Sequence, residues 1–355
     1  MTKKDRKTFK PGRIIQGFEI IELVGQGGFG DIYYVEKIDE QGSKYAMKVE
    51  YKGSKKQALE RENEFFQNLN NLPYFPKYIK YQETKRLRFL VMELLGPSIT
   101  DVRKVLIGER YSISSTLRLG IEMLRAIRGF HSLGFLHRDF KPSQVLIRAS
   151  RAYPIALIDF GLSRRYLDQN TQNYIEPRVQ PGFVGTGKYA SLNAHKGKEL
   201  GRRDDLFCWF YSLVEIGCGK LPWPSVRNKT QIYEIKKDVD IVKYCNDNQL
   251  PPQFGTIYNI IQSYKLRDEP DYDLIISYLV DAMKKTNSKW TDKYEWENLP
   301  PKLLKTISAI PLKSKNPNDA PIIPKNLKRI GYETKEDKKI PENEADAGCA
   351  GCLIY

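Results

Sequence analysis

The run Gly25-Gln26-Gly27-Gly28-Phe29-Gly30 has the spacing G-x-G-x-x-G. Glycine tolerates positive φ and lets backbone N–H groups come close to phosphate oxygens. The same spacing serves dinucleotide-binding folds, where a helix follows the glycines. Here the strand-like run D-I-Y-Y-V-E-K-I follows instead, so the glycines are expected to form a hairpin that can lie over phosphates. Lys48 ends the next strand-like run, Y-A-M-K, and the carboxylates Glu60, Glu62 and Glu64 stand in the amphipathic run after it. Glu62 lies four residues before Phe66 and seven before Leu69, which puts its carboxylate beside the inward apolar stripe and makes it the chosen partner for Lys48. Farther along, Asp139, Lys141, Gln144 and Asp159 bring together two carboxylates, a cation and an amide. Carboxylate and amide oxygens are the donors that hard divalent cations take.

The order of these groups resembles the motif series of protein kinases: glycine loop, strand lysine, helix glutamate, His137-Arg138-Asp139, and Asp159-Phe160-Gly161 after the apolar I-A-L-I. The resemblance implies a role for each. Lys48, paired with Glu62, would hold the α- and β-phosphates of ATP, and Lys141 would reach the γ-phosphate. Asp139 would be the base or orienter of the attacking hydroxyl, and Asp159 a magnesium ligand. His137 would be a packed core residue. The Asp139–Lys141 spacing is the one serine/threonine kinases use.

Gly185-Thr186-Gly187-Lys188-Tyr189-Ala190-Ser191-Leu192-Asn193-Ala194-His195 stands where most kinases carry Ala-Pro-Glu, and it resembles the casein kinase I group, most closely the tau-tubulin kinase branch. M-E-L-L-G-P-S, G-R-R-D-D-L, G-K-L-P-W, E-P-D-Y-D-L-I and the closing Y-E-W-E support that likeness over roughly residues 18 to 300. It implies Met92 as gatekeeper and the backbone of Glu93 and Leu95 as the adenine-binding hinge. Ile32, Ala46, Leu146 and Ile158 would sandwich the base. Asp205 would hold the backbone of the His-Arg-Asp loop, and Thr186 would contact Asp139 and Lys141. Arg178 and Lys188, within a basic cluster with Lys196, Lys198, Arg202 and Arg203, are candidates for a substrate anion site, against the plainer reading of a solvated basic face.

One residue departs from the pattern. Gln144 stands where kinases place the metal-binding Asn. It keeps the amide oxygen but adds a methylene, and magnesium demands near-octahedral geometry at ~2.0–2.1 Å. Manganese is an alternative. The sequence therefore supports an ATP- and magnesium-dependent kinase acting on protein Ser/Thr, with a nucleotide-binding scaffold of weak or absent transfer as the alternative.

Positioning such groups requires two kinds of lobe. F-E-I-I-E-L-V, D-I-Y-Y-V-E-K-I and K-Y-A-M-K-V-E predict strands. Residues 57 to 69 predict one helix with Leu59, Phe65, Phe66 and Leu69 near one face. Beyond R-F-L-V-M-E-L-L-G the pattern turns helical. Ser114 or Ser115 is expected to cap a helix carrying Leu117, Ile121 and Leu124, and D-L-F-C-W-F-Y-S-L-V-E-I, apolar nearly all round, predicts a helix inside a large lobe. The expected fold is α+β and bilobal. A basic extension covers 1–17, and the catalytic domain 18–305, with lobes of about 18–95 and 96–305. A disordered tail covers 306–355.

With 41% hydrophobic residues among 355, the chain can bury sizeable cores, which excludes wholesale disorder. Its net charge of +15 suits acidic or phosphorylated partners as well as nucleic acid, but no zinc finger, bZIP or RNA-binding signature accompanies it. No apolar run approaches the ~18 residues of a membrane span. Five scattered cysteines make no disulfide framework, and the Cys349/Cys352 pair alone is a poor zinc site. Cys352-Leu353-Ile354-Tyr355 has the shape of a prenylation signal with an unusual last residue, so membrane association is expected only if these cysteines are lipidated. A monomer in the cytosol or nucleus is the remaining expectation.

Overall fold

Alternation of apolar and polar residues builds the first lobe. The computed structural model describes residues 8–27, 30–40, 42–52, 59–69, 72–223 and 228–300. Strands β1 (Ile14–Ile15), β2 (Phe18–Gly27), β3 (Gly30–Lys37) and β4 (Lys44–Tyr51) precede helix α1 (Leu59–Leu69), and β5 (Tyr78–Glu83) and β6 (Leu87–Glu93) follow it. All pair antiparallel in the order β1-β2-β3-β4-β6-β5. Phe18 and Ile20, Tyr33 and Val35, Met47 and Val49, Phe89 and Val91 are alternate residues of four neighbouring strands, and together they form one buried cluster. Each contributes roughly 1.5–3 kcal/mol on burial.

Phe9 and Ile15 complete that cluster, and the Phe9 N–H donates to the Tyr33 hydroxyl at 3.1 Å. Part of the stretch read as a basic extension therefore belongs to the small lobe. The expected helix is present from Leu59, with Leu59, Phe66 and Leu69 buried; positions 57 and 58 lie outside the described residues.

The second lobe is helical. It comprises α2 (Ile99–Arg103), α3 (Ile113–Ser132), β7 (Phe135–Leu136), β8 (Val145–Ile147), β9 (Ile155–Leu157) and β10 (Arg164–Arg165). After these come α4 (Leu192–His195), α5 (Arg202–Cys218), α6 (Lys229–Asp238), α7 (Ile241–Asp247), α8 (Gln253–Ser263) and α9 (Tyr272–Lys285). Helix α3 packs against α5 and α9. Gly120 permits the close approach: a Cβ there would stand 2.9 Å from Leu213, and the Trp209 indole donates to the Gly120 carbonyl at 2.9 Å. Helix α5 is buried nearly all round, as its composition predicts.

The cap of α3 differs from expectation. Ser112, not Ser114 or Ser115, is the N-cap, its Oγ accepting from the Ser115 N–H at 3.2 Å. Ser114 lies inside the first turn and donates its hydroxyl to Asp292 at 2.6 Å, a partner 178 residues away. The Y-E-W-E stretch does seal this lobe: Tyr294 stacks on Trp296 at 4.2 Å, and Arg118 covers Tyr294 at 4.0 Å. No described helix is long and apolar enough to cross a membrane. The tail expected over 306–355 lies outside the described residues, as do the C-terminal cysteines.

Candidate active site

The glycine run closes a hairpin. Gly27 of β2 faces Gly30 of β3, and β3 continues as a strand, as the sequence predicts. Gly30 has φ 133°, and a Cβ there would sit 2.4 Å from the Val49 carbonyl oxygen, so no other residue fits. Gly25 is different. Its φ is ordinary and a Cβ would meet nothing within 4 Å, so the protein itself does not require glycine there; the open space suits close approach of a ligand to the backbone. Gly28 and Phe29 lie outside the described residues.

Below the hairpin, strand pairing sets Lys48 opposite Ile32 on one side and Leu90 on the other. Its Nζ lies 2.5 Å from Glu62 Oε2 of α1. Burial pushes the Glu62 carboxyl above its ordinary range, while the Lys48 ammonium pulls it back. Of the other two candidates, Glu60 reaches Arg88 at 3.3 Å and Glu64 is exposed, so the spacing argument selected the residue that pairs.

A cleft of about 480 Å³ opens between the lobes. Gly25, Gly30, Ile32, Ala46, Lys48, Glu62, Met92, Glu93, Leu95, Leu146, Ile158 and Asp159 line it, so the groups expected around a nucleotide converge on one cavity. Ser98, Asp101 and Ser143 add polar lining that the sequence reading missed. The signal was present in the first two: Ser98 and Asp101 form a capping box at the start of α2, the Ser98 hydroxyl donating to Asp101 at 2.6 Å.

The His137–Asp139 loop hangs from α5. The buried Asp205 carboxylate accepts the backbone N–H groups of His137 and Arg138, each at 2.7 Å, and its Oδ2 lies 2.8 Å from His131 Nε2. Arg138 and Asp159 both take left-handed backbone conformations, at φ 65° and 68°, which cost non-glycine residues energy and recur at functional sites. Gly185 supports the loop from the other side: at φ 104°, its Cβ would stand 2.6 Å from the Arg138 carbonyl oxygen. His137 is a core residue, packed against Phe130, Phe140 and Phe160, and burial lowers its pKa so that it stays neutral.

The reactive groups stand within hydrogen-bond reach of one another. Lys141 Nζ lies 2.6 Å from Asp139 Oδ2 and donates to Thr186 Oγ1 at 3.1 Å, so Thr186 meets Asp139 through the lysine. Gln144 is 4% exposed, and its Nε2 donates to Asp159 Oδ2 at 3.0 Å and to Asp139 Oδ2 at 3.4 Å. Two buried acceptors, Gln144 Oε1 and Asp139 Oδ1, have no hydrogen-bond partner among the described residues. Such orphans are costly unless something else takes them. Asp159, Asp139 and the Gln144 amide offer oxygen donors that fit a divalent cation. No set of three or more His, Cys, Asp or Glu among the described residues could hold a metal alone.

The two cations named for an anion site are already paired. Arg178 forms a fork on Glu199, at 2.8 and 2.9 Å, and Glu199 is pulled down to about 2 by these bonds. Lys188 lies 2.5 Å from Glu215, a carboxylate of α5 that also accepts from the Tyr189 hydroxyl at 2.6 Å.

Comparison with known proteins agrees with this geometry. The family model described as "Protein kinase domain" matches residues 18–289. A probable serine/threonine-protein kinase of Dictyostelium discoideum is 36% identical over 293 residues, covering 81% of this chain and 58% of that protein. A putative serine/threonine-protein kinase of Caenorhabditis elegans is 32% identical over 346 residues, covering 95% and 93%. The chain thus spans little more than half of the first relative and nearly all of the second.

Proposed function

The chain belongs to the protein kinase family, and we propose that it transfers the γ-phosphoryl group of ATP to serine and threonine hydroxyls of proteins. The observation that carries this reading is one cleft lined by Lys48, Glu62 and Asp159, with the Asp139–Lys141–Thr186 group joined to Asp159 through the Gln144 amide. Asp139 orients the acceptor hydroxyl and takes its proton as that oxygen bonds to the γ-phosphorus and the bond to the bridging oxygen breaks, with ADP as the leaving group. Lys141, held by Asp139 and Thr186, stabilises charge gathering on the transferred group. The Lys48 ammonium, kept in place by Glu62, binds the non-transferred phosphates. Magnesium, held by Asp159 and the oxygen of the Gln144 amide, would neutralise phosphate charge.

The motif around Gly185–His195 supports membership of the casein kinase I group, nearest the tau-tubulin kinase branch. A preference for acidic or phosphorylated flanks rests on the net charge of +15 and on the exposed Lys196 and Lys198, since Arg178 and Lys188 are matched by carboxylates. Peptides with serine, threonine or tyrosine acceptors, each in acidic and neutral contexts, test both points with labelled ATP. Label on serine and threonine, strongest in the acidic context, is expected; label on tyrosine alone would overturn the assignment.

A second reading has one observation in its favour. The Gln144 amide turns its N–H groups, not its oxygen, toward both aspartates, an arrangement suited to a scaffold that binds nucleotide without transferring phosphate.

A further inference from the structure

A four-bond clamp joins Glu93 of the cleft lining to Arg148, a residue not named so far. Arg148 follows β8, whose Leu146 lines the floor of the cavity. Its guanidinium donates from Nε to Glu93 Oε1 at 2.8 Å and from Nη2 to Glu93 Oε2 at 2.9 Å. Nη2 also donates to the Phe75 carbonyl at 2.9 Å, and Nη1 donates to the Pro73 carbonyl. One side chain thereby joins the end of β6, the connection between α1 and β5, and the end of β8.

The clamp is built rather than incidental. Both side chains are largely withdrawn from water, at 14% for Arg148 and 21% for Glu93. Charge-assisted fork pairs with such geometry are stronger than exposed ion pairs, and lysine cannot reproduce them. Backbone bonds run beside it: the Lys77 N–H donates to Glu93 Oε2 at 3.1 Å, the Glu93 N–H to the Lys77 carbonyl at 2.9 Å, and the Gly96 N–H to the Ile147 carbonyl at 2.7 Å. Residues 93 to 97 are thus fastened on both sides, and Glu93, Leu95 and Leu146 all line the cavity.

From this we propose that Arg148 is a positioning residue for adenine-nucleotide binding: through the Glu93 carboxylate it fixes the backbone segment 93–95 against β8. The proposal rests on the reading of the cleft as the nucleotide site. Arg148 touches no reacting atom, so its effect falls on the base end of the ligand and not on transfer.

The test uses the full chain with Arg148→Met, Arg148→Lys, Glu93→Gln and the Arg148→Met/Glu93→Gln double variant. Steady-state kinetics would be joined by calorimetric binding of ATP and of adenosine. KM for ATP should rise about tenfold in Arg148→Met, and Arg148→Lys should not restore it. Adenosine affinity should fall by a similar factor, with kcat at saturating ATP and KM for the acceptor peptide within about twofold of wild type. The double variant should lose no more than the worse single one, since both remove the same interaction. If Arg148→Met does not fold, Arg148→Lys carries the same expectations.

Unchanged ATP and adenosine affinity in these variants, or loss of kcat and stability at constant KM, would overturn the proposal and leave the clamp a purely structural device. Failure of wild type to bind ATP at all would instead overturn the nucleotide-site reading on which it stands.

Discussion

Gln144 has two ways to point a planar amide. With Nε2 toward Asp139 and Asp159, it screens two carboxylates from each other and leaves its own oxygen without a partner. With the amide turned over, the oxygen would be free to meet a cation, and the two N–H bonds would be given up. Asparagine, shorter by one methylene, cannot bridge the aspartates as readily but holds a metal-facing oxygen without folding back. Gln144→Asn should therefore lower the magnesium concentration for half-maximal transfer by up to about tenfold, the scale on which groups around a metal tune its binding. A magnesium titration of wild type and variant checks this, and an unchanged or higher requirement would count against it. At this scale the sequence was highly legible. The contacts of Lys48 with Glu62, of Asp139 with Lys141 and of Gln144 with Asp159 follow from short motifs and, for Glu62, from its spacing to Phe66 and Leu69. The partners of Arg178 and Lys188 were not legible, because Glu199 and Glu215 stand 21 and 27 residues away, where periodicity does not place them.

Helix α3 couples packing to the site. Phe130 near its C-terminal end is fully buried and has ring neighbours in Phe65 of α1, Phe75, Phe135, His137 and Phe160. Phe160 adjoins Asp159, and Phe65 shares α1 with Glu62, so one aromatic cluster backs both the Asp159 carboxylate and the partner of Lys48. Phe130→Ala should destabilise the protein by about 3–5 kcal/mol through lost burial and an unfilled cavity. Urea unfolding followed by fluorescence would measure it, and a cost below about 1 kcal/mol would show that the cluster collapses into the gap. The helices themselves could be read from apolar spacing, and the hairpin from the strand after its glycines. The start of α3 could not: three serines lie within four positions, and which of them caps depends on Ser114 bonding to the distant Asp292 and on the Ser115 N–H bonding to Ser112. The Arg148 clamp escaped for a similar reason, since a lone arginine after a strand carries no local pattern.

Across the whole molecule, charge is balanced unevenly. Lys236 of α6 is nearly enclosed, with Nζ 4.8 Å from the ring centres of Tyr211 and Trp223, and it donates to the carbonyls of Gly187 at 2.9 Å and Ala190 at 2.7 Å. Burial pushes its pKa down to about 7, against the weaker opposing effect of nearby Cys208. The unfolded chain keeps this proton up to about pH 10.5, so between pH 7 and 10.5 it binds more protons than the folded one, and stability rises with pH in that window. From pH 7 to pH 9 wild type should gain about 2 kcal/mol relative to Lys236→Met, read from urea midpoints at the two pH values. Parallel behaviour of the two proteins would mean that the ammonium, held by its two carbonyls, keeps its proton throughout. The same two bonds fix the segment after Thr186, so this lysine links the large lobe's interior to the surface where an acceptor would lie.

The most direct measurement is transfer of labelled γ-phosphate from ATP to a serine-containing acidic peptide by wild type and by Asp139→Asn, in magnesium and in manganese, with ATP binding measured on the same samples. Transfer by wild type that falls at least about a thousandfold in Asp139→Asn, with ATP binding retained by both, is the expected result for a kinase whose chemistry runs through Asp139. ATP binding by wild type with no transfer under either metal would contradict it and leave the scaffold.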